Sequence, residues 1–344
     1  MIPYILLVFF LFYASFLGKN KWLQLFSFLV IFVFTAFRAE TVGTDTKGYI
    51  KLATYFSDFR LFGESSNSFE FAFQSLLYLI KSLGLSPVFL QVFFAIITLS
   101  VMYRTFQKAS LNPVLSFFLY VICGCMFFSF NAARQMTSIS FVLLSYTFIN
   151  NNIYKYMLCF VFAAGFHVSS LICFPFFLLS YFDISRVTGI WLIIISFFVN
   201  IFLFNTIYYG FLERLVAGSF YAHYLDVIEK PAELSLMGKI FNFLNVILFC
   251  ISLYFAKSVK GVYISIFVIA CTLSILFSGA HVYVTRLFIP MSYVCIIFYV
   301  NVFCTMQNNV YRLFYATLFI FIYGYSFYYS MADNAGGIMP YKLM

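Results

Sequence analysis

The sequence predicts an all-α polytopic membrane protein. Of its 344 residues, 64% are hydrophobic and only 9% are charged, whereas soluble domains carry roughly a quarter charged residues. Apolar runs that approach the roughly 20 residues of a membrane-crossing helix recur along the whole chain. The polar stretches between them are too short to form a soluble domain, so residues 1–344 are expected to form a single transmembrane domain.

Thirteen apolar segments carry this prediction, and all are expected to be helical. The first lacks the basic start of a cleavable signal and is interpreted as a crossing whose N-terminus lies outside. The short pair 154–166 and 169–182 is expected to be tilted or broken. The segments are 2–17, 22–37, 70–83, 87–104, 113–130, 136–150, 154–166, 169–182, 188–205, 240–256, 262–279, 287–304 and 311–330.

The basic residues predict how these segments cross, because Lys and Arg are enriched in cytoplasmic loops. If 70–83 is a re-entrant or interfacial helix, the chain crosses about twelve times. The basic residues in the short breaks between segments then all lie inside, namely Arg104, Lys108, Lys155, Arg186, Lys257, Lys260 and Arg312. Nine basic residues and one acid, Asp183, lie inside on this topology. The other eleven basic residues, ten acids and all three His lie outside, together with the loops 38–69 and 206–239.

Composition also argues against a nucleic-acid partner and against a metal site. The net charge of +9 is typical of such a topology and does not indicate a nucleic-acid partner. All eight Cys lie in apolar runs, where Cys behaves as a small hydrophobe. No metal-ligand spacing such as HExxH occurs. The sequence therefore predicts no metal and no cofactor, and directs attention to the outer boundary of the membrane.

The first candidate site runs from Arg38 to Tyr49. Asp45 and Tyr49 are four residues apart, so they share one face if a helix begins here, and Gly43 permits a tight turn before it. Glu40 stands in the same stretch. The plain alternative is that Asp45 only caps the helix and that Arg38 only reaches toward the headgroups.

Two further candidates lie at segment boundaries. Arg134 and Gln135 begin an apolar segment, where a guanidinium opposes the helix dipole unless an anion, typically phosphate, offsets it. His167 lies between two short segments, where an ionisable side chain indicates function. The alternatives are an arginine that extends to the headgroups and a histidine that donates to a neighbouring carbonyl.

The remaining outer residues give weaker signals. The run from His281 to Arg286 lies just before another helix start, and Arg286 repeats the pattern of Arg134. The charges of 206–239 are expected to be mostly solvated, and Tyr341 lies outside on this topology.

In their order along the chain, these residues resemble the EpsG family of Wzy-type polysaccharide polymerases. The run Arg38…Val42-Gly43-Thr44-Asp45…Tyr49 is similar to the arginine–VGxD–tyrosine motif of that family. The pairs and runs that follow in the family's order are Glu70-Phe71, Arg134-Gln135, Ala163…Phe166-His167-Val168-Ser169, Arg286 and Pro340-Tyr341-Lys342. The resemblance covers nearly the whole chain.

The resemblance implies a GT-C-like, lipid-dependent glycosyltransferase in the bacterial cytoplasmic membrane, with an outward-facing active site. Such an enzyme joins oligosaccharide repeat units carried on undecaprenyl pyrophosphate, which is the leaving group, into exopolysaccharide, capsule or O-antigen. Its implied partners are the lipid-linked oligosaccharide, membrane lipid, a flippase and a chain-length regulator.

Within that reaction, Arg38, Arg134 and Arg286 are expected to bind the pyrophosphate, so that no metal is required. Asp45 or His167 is the expected base, and the sequence does not rank the two. The residues expected to position substrate are Glu40, Tyr49, Glu70, Gln135, His281 and Tyr341.

Two alternative functions share part of this pattern. A transporter or flippase for the same lipid-linked oligosaccharides places ionisable groups near the bilayer midplane and often shows repeated halves, whereas here the charges gather at one boundary. An O-antigen ligase-like glycosyltransferase shares almost all of the chemistry, and its products distinguish it from a polymerase.

Overall fold

The computed structural model describes residues 1–18, 20–57, 69–216, 236–280 and 282–344. Most of these residues are helical, which confirms the predicted all-α class. Their β-type pairing is limited to an isolated bridge between Arg38 and Leu343.

Sixteen α-helices follow one another along the described residues. They are α1 (Ile2–Phe16), α2 (Lys21–Ala36), α3 (Thr46–Tyr55), α4 (Phe71–Ser82), α5 (Phe89–Ala109), α6 (Pro113–Ile122), α7 (Cys125–Asn131), α8 (Ala133–Tyr146), α9 (Ile153–Phe166), α10 (Arg186–Val216), α11 (Leu236–Phe255), α12 (Gly261–Leu276), α13 (Val282–Ser292), α14 (Val294–Thr305), α15 (Asn309–Phe319) and α16 (Tyr325–Ala332). A 3₁₀-helix, Val168–Ser180, follows α9, and a π-helical turn, Ile320–Gly324, joins α15 to α16.

Several helices carry the features of membrane spans. Four helical stretches of the described residues are long and apolar enough to cross a bilayer, and the bent pair α6–α7 adds a fifth if it counts as one span. They are Phe89–Ala109, Leu236–Ser258, Val284–Thr305 and Asn309–Ala332. Large apolar side chains such as Phe9, Trp191 and Leu313 point outward, each more than half exposed. A chain with so many outward apolar side chains is an integral membrane protein.

Some segments differ in detail from the sequence-based expectation. Segment 113–130 is not one helix, because Gly124 takes a φ of +79° and the chain bends by 57° between α6 and α7. Helix α10 continues to Val216, into the stretch 206–239 that the sequence predicts as a loop. Helix α4, at 12 residues, is shorter than the roughly 20 residues of a crossing.

The chain divides into two compact units within the predicted single domain. The first contains Met1–Phe177 and Tyr323–Met344, and the second contains Leu178–Ile322.

In the first unit, α8 lies between α5 and α9. Thr98 of α5 and Thr137 of α8 are joined by a hydrogen bond of 2.7 Å, and the Ser138 hydroxyl donates to the carbonyl of Ala163 of α9 at 2.7 Å. Small hydroxyl residues allow this close packing and hydrogen-bond across apolar helices. This contact positions two candidate site residues, because α8 begins beside Arg134 and α9 ends beside His167.

In the second unit, α10 packs against α11 and α12. A Cβ at Gly189 would overlap the side chain of Val268, so glycine allows α10 to approach α12 without a shift of that side chain. The Asn200 amide donates to the carbonyls of Leu276 and Ser278, at 3.0 Å each, and so satisfies backbone acceptors where α12 ends.

Candidate active site

The loop between α2 and α3 is built around a glycine. Gly43 has a φ of +95°, and a Cβ there would lie 2.8 Å from the carbonyl oxygen of Phe130. Both observations require glycine. The helix predicted after it begins at Thr46, with Asp45 at the N-cap position, although the Asp45 carboxylate makes no capping hydrogen bond. A structural cap therefore does not account for Asp45.

Arg38 packs against this loop and binds its backbone. Its side chain is buried, and its guanidinium donates to the carbonyls of Thr35 and Val42 and lies 3.4 Å from Oγ1 of Thr46. The guanidinium carbon also lies 4.6 Å from the ring centre of Phe130. Burial lowers the pKa of Arg38 to about 10, so the side chain remains charged at neutral pH.

The segment 333–344 folds over the same loop. The Gly43 N–H donates to the carbonyl of Gly337 at 2.9 Å. The Thr44 N–H lies 3.1 Å from the carbonyl of Gly336. Gly336 and Gly337 take φ values of +76° and +64°, which favour glycine, and a Cβ at Gly336 would overlap the side-chain nitrogen of Asn131.

Aromatic and backbone contacts fix the end of that segment. The ring of Tyr341 stacks on that of Phe34 with centroids 5.0 Å apart and an interplanar angle of 18°, and its edge meets Tyr4. The Ala39 N–H donates to the carbonyl of Lys342 at 2.8 Å. These contacts give Tyr341 a packing role.

Asn131, at the end of α7, connects the loop to the helix pair α7–α8. Its side-chain oxygen accepts from the Thr44 N–H at 2.7 Å and lies 3.0 Å from the Thr44 hydroxyl. That hydroxyl is also 3.2 Å from the Asp45 carboxylate. Asn131 therefore positions the residue next to Asp45, and sequence reasoning did not select it as a site residue.

Glu70 is the centre of a second cluster. It precedes α4, and Nη1 of Arg134, near the start of α8, lies 2.7 Å from Glu70 Oε2. Nδ1 of His167, where α9 ends, lies 3.2 Å from Glu70 Oε1, and the Val168 N–H donates to the same oxygen at 3.2 Å. Three separate helix ends therefore meet at one carboxylate.

In this cluster Glu70 is buried, whereas Arg134 and His167 are partly exposed. Side-chain exposure is 8% for Glu70, 22% for Arg134 and 25% for His167. Burial alone would raise the pKa of Glu70, but the hydrogen bond from His167 and the charge of Arg134 outweigh it and lower the pKa. Glu70 is therefore ionised at neutral pH.

The ionised carboxylate fixes the proton on the imidazole. A carboxylate is an acceptor only, so the hydrogen bond to Glu70 requires Nδ1 of His167 to carry the proton. In the neutral imidazole, Nε2 is then the acceptor and can receive a proton.

Two aromatic rings pack against the guanidinium of Arg134. Its guanidinium carbon lies 4.9 Å from the ring centre of Phe69 and 5.0 Å from that of Phe73. Tyr49 packs edge-on against Phe73 at 6.1 Å. Burial raises the pKa of Tyr49, while the charge of Arg134 and its hydrogen bond to Tyr49 oppose that rise. Tyr49 is neutral at physiological pH and lies beside the same guanidinium.

The profile of the EpsG family matches residues 21–343 of the chain. This protein belongs to the EpsG family. The resemblance predicted from the sequence is thus confirmed. No curated protein and no solved structure matches the chain.

In this EpsG-family chain, the predicted residues that meet in one cluster are Tyr49, Glu70, Arg134 and His167. Asp45 lies one helical turn before Tyr49, whose N–H donates to its carbonyl. The anion that offsets Arg134 at the start of α8 is the Glu70 carboxylate, where the sequence suggested a phosphate.

The other predicted residues of this EpsG-family chain lie elsewhere. Glu40 is exposed beside the loop, and Gln135 is buried. Arg286 belongs to α13 in the second unit. His281 lies outside the described residues, and so does the part of 206–239 between α10 and α11.

Within the described ranges, no three His, Cys, Asp or Glu side chains are arranged to hold a metal ion. The charged groups that the structure does bring together are one carboxylate, one guanidinium and one imidazole.

Proposed function

We propose that this protein is a polysaccharide polymerase that joins oligosaccharide repeat units carried on undecaprenyl pyrophosphate, on the outer side of the bacterial cytoplasmic membrane. Its membership of the EpsG family supports the polymerase role. The convergence of Arg134 and His167 on Glu70 is the observation that carries the mechanism. The guanidinium and the imidazole each contact one oxygen of the same carboxylate, which supports the phosphate-binding and proton-accepting roles proposed for them.

In the proposed reaction, a sugar hydroxyl oxygen of the acceptor attacks the anomeric carbon of the donor glycan. The bond from that carbon to the pyrophosphate oxygen breaks, and undecaprenyl pyrophosphate leaves with the electron pair. His167 Nε2 takes the hydroxyl proton. Glu70 holds the imidazole in the required tautomer and stabilises the imidazolium that forms.

Arg134 is the proposed ligand of the leaving pyrophosphate. The guanidinium suits phosphate because it offers several N–H donors in one plane. Glu70 and the rings of Phe69 and Phe73 hold it before substrate arrives, so little reorganisation is needed when charge develops on the pyrophosphate. Arg286 keeps the pyrophosphate-binding role that the family resemblance implies for it.

Arg38 and Asp45 take different proposed roles. Arg38 is buried with its N–H groups directed at backbone carbonyls, so we assign it to supporting the loop. Asp45 remains the second candidate base, because its carboxylate is not used as a helix cap. Proposed contacts to the sugars come from Glu40, Tyr49, Gln135, His281 and the stretch 206–239.

The proposed architecture is a GT-C-like bundle of about twelve crossings, with α4 re-entrant or interfacial and the site facing outward. Arginine stabilisation of the leaving group makes the reaction independent of a metal. A flippase supplies the lipid-linked substrate, and a chain-length regulator is the proposed partner in elongation.

The test is turnover of a purified lipid-linked repeat unit by the protein in liposomes, with and without a chelator. A ladder of products on the carrier lipid that is absent with His167→Gln and unaffected by chelator supports the proposal. Glycan transferred to a different acceptor indicates a ligase. Movement of substrate across the bilayer without new glycosidic bonds indicates a transporter.

A matched variant distinguishes the two candidate bases. Asp45→Asn is expected to retain measurable product if His167 is the base. Loss of product in Asp45→Asn with normal turnover in His167→Gln would assign the base to Asp45.

A further inference from the structure

Three elements of the first unit meet at the end of α9 that is farthest from His167. They are the last turn of α5, the turn between α8 and α9, and the first turn of α9. Backbone hydrogen bonds fix the turn, since the N–H groups of Asn151 and Asn152 donate to the carbonyl of Phe148 at 3.0 and 2.9 Å. Lys155 and His167 lie about 18 Å apart along a helix, so this meeting point is separate from the Glu70 cluster.

Two lysines share one aromatic ring at this point. Lys108 lies in the last turn of α5, and its Nζ is 4.6 Å from the ring centre of Phe148. Lys155 lies in the first turn of α9, and its Nζ is 5.8 Å from the same ring centre. An ammonium within about 6 Å of a ring centre is attracted to the face of the ring. The ring therefore holds two flexible side chains near each other, and each ammonium still offers N–H donors to a ligand.

Within the described part of the chain, no carboxylate lies within ion-pair distance of either ammonium. The ion pairs found there both belong to Glu70. Arg104 lies one turn before Lys108 on α5, and its exposed side chain adds a third positive charge to the same face of that helix. Like charges in such proximity repel one another, so a ligand that carries negative charge would relieve the repulsion.

An exposed apolar stripe on α9 begins beside Lys155. Tyr154 is 81% exposed, Leu158 54% and Val161 67%. These positions recur three or four residues apart, so they line one side of the helix. A free phosphate or a nucleotide would make no use of this stripe, whereas the acyl chain of a lipid would lie along it. The combination of paired cations and an adjoining apolar stripe fits a ligand with an anionic head and a hydrocarbon tail.

We propose that Lys108, Phe148 and Lys155 form a binding site for one anionic phospholipid. Its headgroup phosphate lies between the two ammonium groups, and one acyl chain lies along the outward stripe of α9. The bound phosphate offsets the repulsion of the lysines and links the end of α5 to the start of α9. A zwitterionic lipid carries its own cation and would leave the charge of the lysines unbalanced. The site makes no use of the polymerase reaction, so its test needs no activity measurement.

The test is thermal unfolding of the full-length protein in detergent, with added phosphatidylglycerol or with phosphatidylcholine of the same acyl chains. Phosphatidylglycerol is expected to raise Tm by about 2–4 °C over phosphatidylcholine, with saturation as its concentration increases. Glycerol phosphate at the same concentration is expected to leave Tm unchanged. Equal Tm values with the two lipids would overturn the proposal, and so would an equal rise with glycerol phosphate, which would indicate a site for a soluble anion.

Paired substitutions locate the effect. Lys108→Gln combined with Lys155→Gln is expected to abolish the difference in Tm between the two lipids. Lys257→Gln combined with Lys260→Gln is the matched control, because it removes the same charge from two exposed lysines of the second unit, and it is expected to retain the difference. A difference that persists without Lys108 and Lys155, or that is lost equally in the control, would place the lipid effect outside this site.

A direct measurement on the unmodified protein covers the case in which the variants do not fold. Phosphatidylglycerol with a photoactivatable group in one acyl chain is crosslinked to the protein in detergent, and the modified peptides are identified by mass spectrometry. Crosslinks are expected in residues 153–162, and excess phosphatidylglycerol but not phosphatidylcholine should suppress them. Crosslinks that lie only elsewhere, or that both lipids suppress equally, would overturn the proposal.

Discussion

Arg38 and Arg134 belong to the same compact unit but have opposite surroundings. Arg38 is buried against backbone carbonyls at the base of the loop, whereas Arg134 is ion-paired with Glu70 and partly open to the outside. Both residues lie within the stretch that the EpsG family profile matches. The difference separates a buried arginine that contacts the loop from a partly exposed arginine that a ligand can reach.

Removing the charge that organises the cluster is expected to have the largest effect. Glu70→Gln keeps the size of the side chain but leaves Arg134 without its counterion and no longer requires the Nδ1-protonated imidazole. Polymer formation should fall on the order of 10²–10⁴-fold. Product ladders from lipid-linked repeat units measure it, and Asp333→Asn, which removes an exposed acid, serves as the control. Normal ladders in Glu70→Gln would rule out the cluster as the reaction centre.

Arg134→Met should act on activity more than on folding. Loss of one preorganised donor to developing charge typically lowers turnover by roughly 10²–10³-fold. Turnover and Tm are measured on the same preparation. A variant that turns over normally would contradict the pyrophosphate role.

Arg38→Met should show the reverse pattern. Carbonyl groups of Thr35 and Val42 lose a charged donor inside the protein, at a cost of about 2–4 kcal/mol in the free energy of unfolding. A drop in Tm larger than that of Arg134→Met is the expected result. If both variants fold equally well and lose activity equally, the two arginines do not differ in role.

The glycine contact tests whether the loop depends on segment 333–344. Gly336→Ala adds a Cβ where φ is +76° and the side chain of Asn131 is 2.3 Å away, so it should destabilise the protein by about 1–2 kcal/mol. Gly48→Ala is the matched control, since nothing lies within 4 Å of its Cβ position, and it should stabilise α3 by about 0.5–1 kcal/mol. Similar Tm values for the two variants would show that the contact is not needed.

The smallest expected effect is that of low pH on the stability of the protein. The pKa of Glu70 is lowered from its usual 4.5 in the folded protein, so its ion pair contributes stability above about pH 4.5 that is lost as the pH falls through the folded pKa. Tm measured against pH should therefore fall less steeply in Glu70→Gln than in the unmodified protein. Identical profiles would mean that the carboxylate is not perturbed by folding.

Much of this arrangement follows from sequence. The helical class, the helix start after Asp45, the segment break at His167 and the family were all predictable, because periodicity, caps and motif order are local properties. The division at Gly124 was not predicted, since a glycine within an apolar run does not reveal its φ.

Long-range pairing is the part that the sequence does not show. Glu70 is 64 residues from Arg134 and 97 from His167, and no local pattern relates them. The same holds for Asn131, which the sequence places near Arg134 but does not connect to Thr44. The adjacent glycines 336 and 337 are the only sign in the sequence of the contact with the loop. Their partners, Gly43 and Thr44, become known only from the fold.

The contact between Gly337 and Gly43 has a consequence for biosynthesis. At about 5–20 residues per second, the ribosome needs roughly 15–60 s after making the loop before it makes the segment that closes over it. Until then the loop lacks the backbone hydrogen bonds that the segment supplies to Ala39, Gly43 and Thr44. The loop between α2 and α3 therefore reaches its final hydrogen bonding only when the end of the chain has been made.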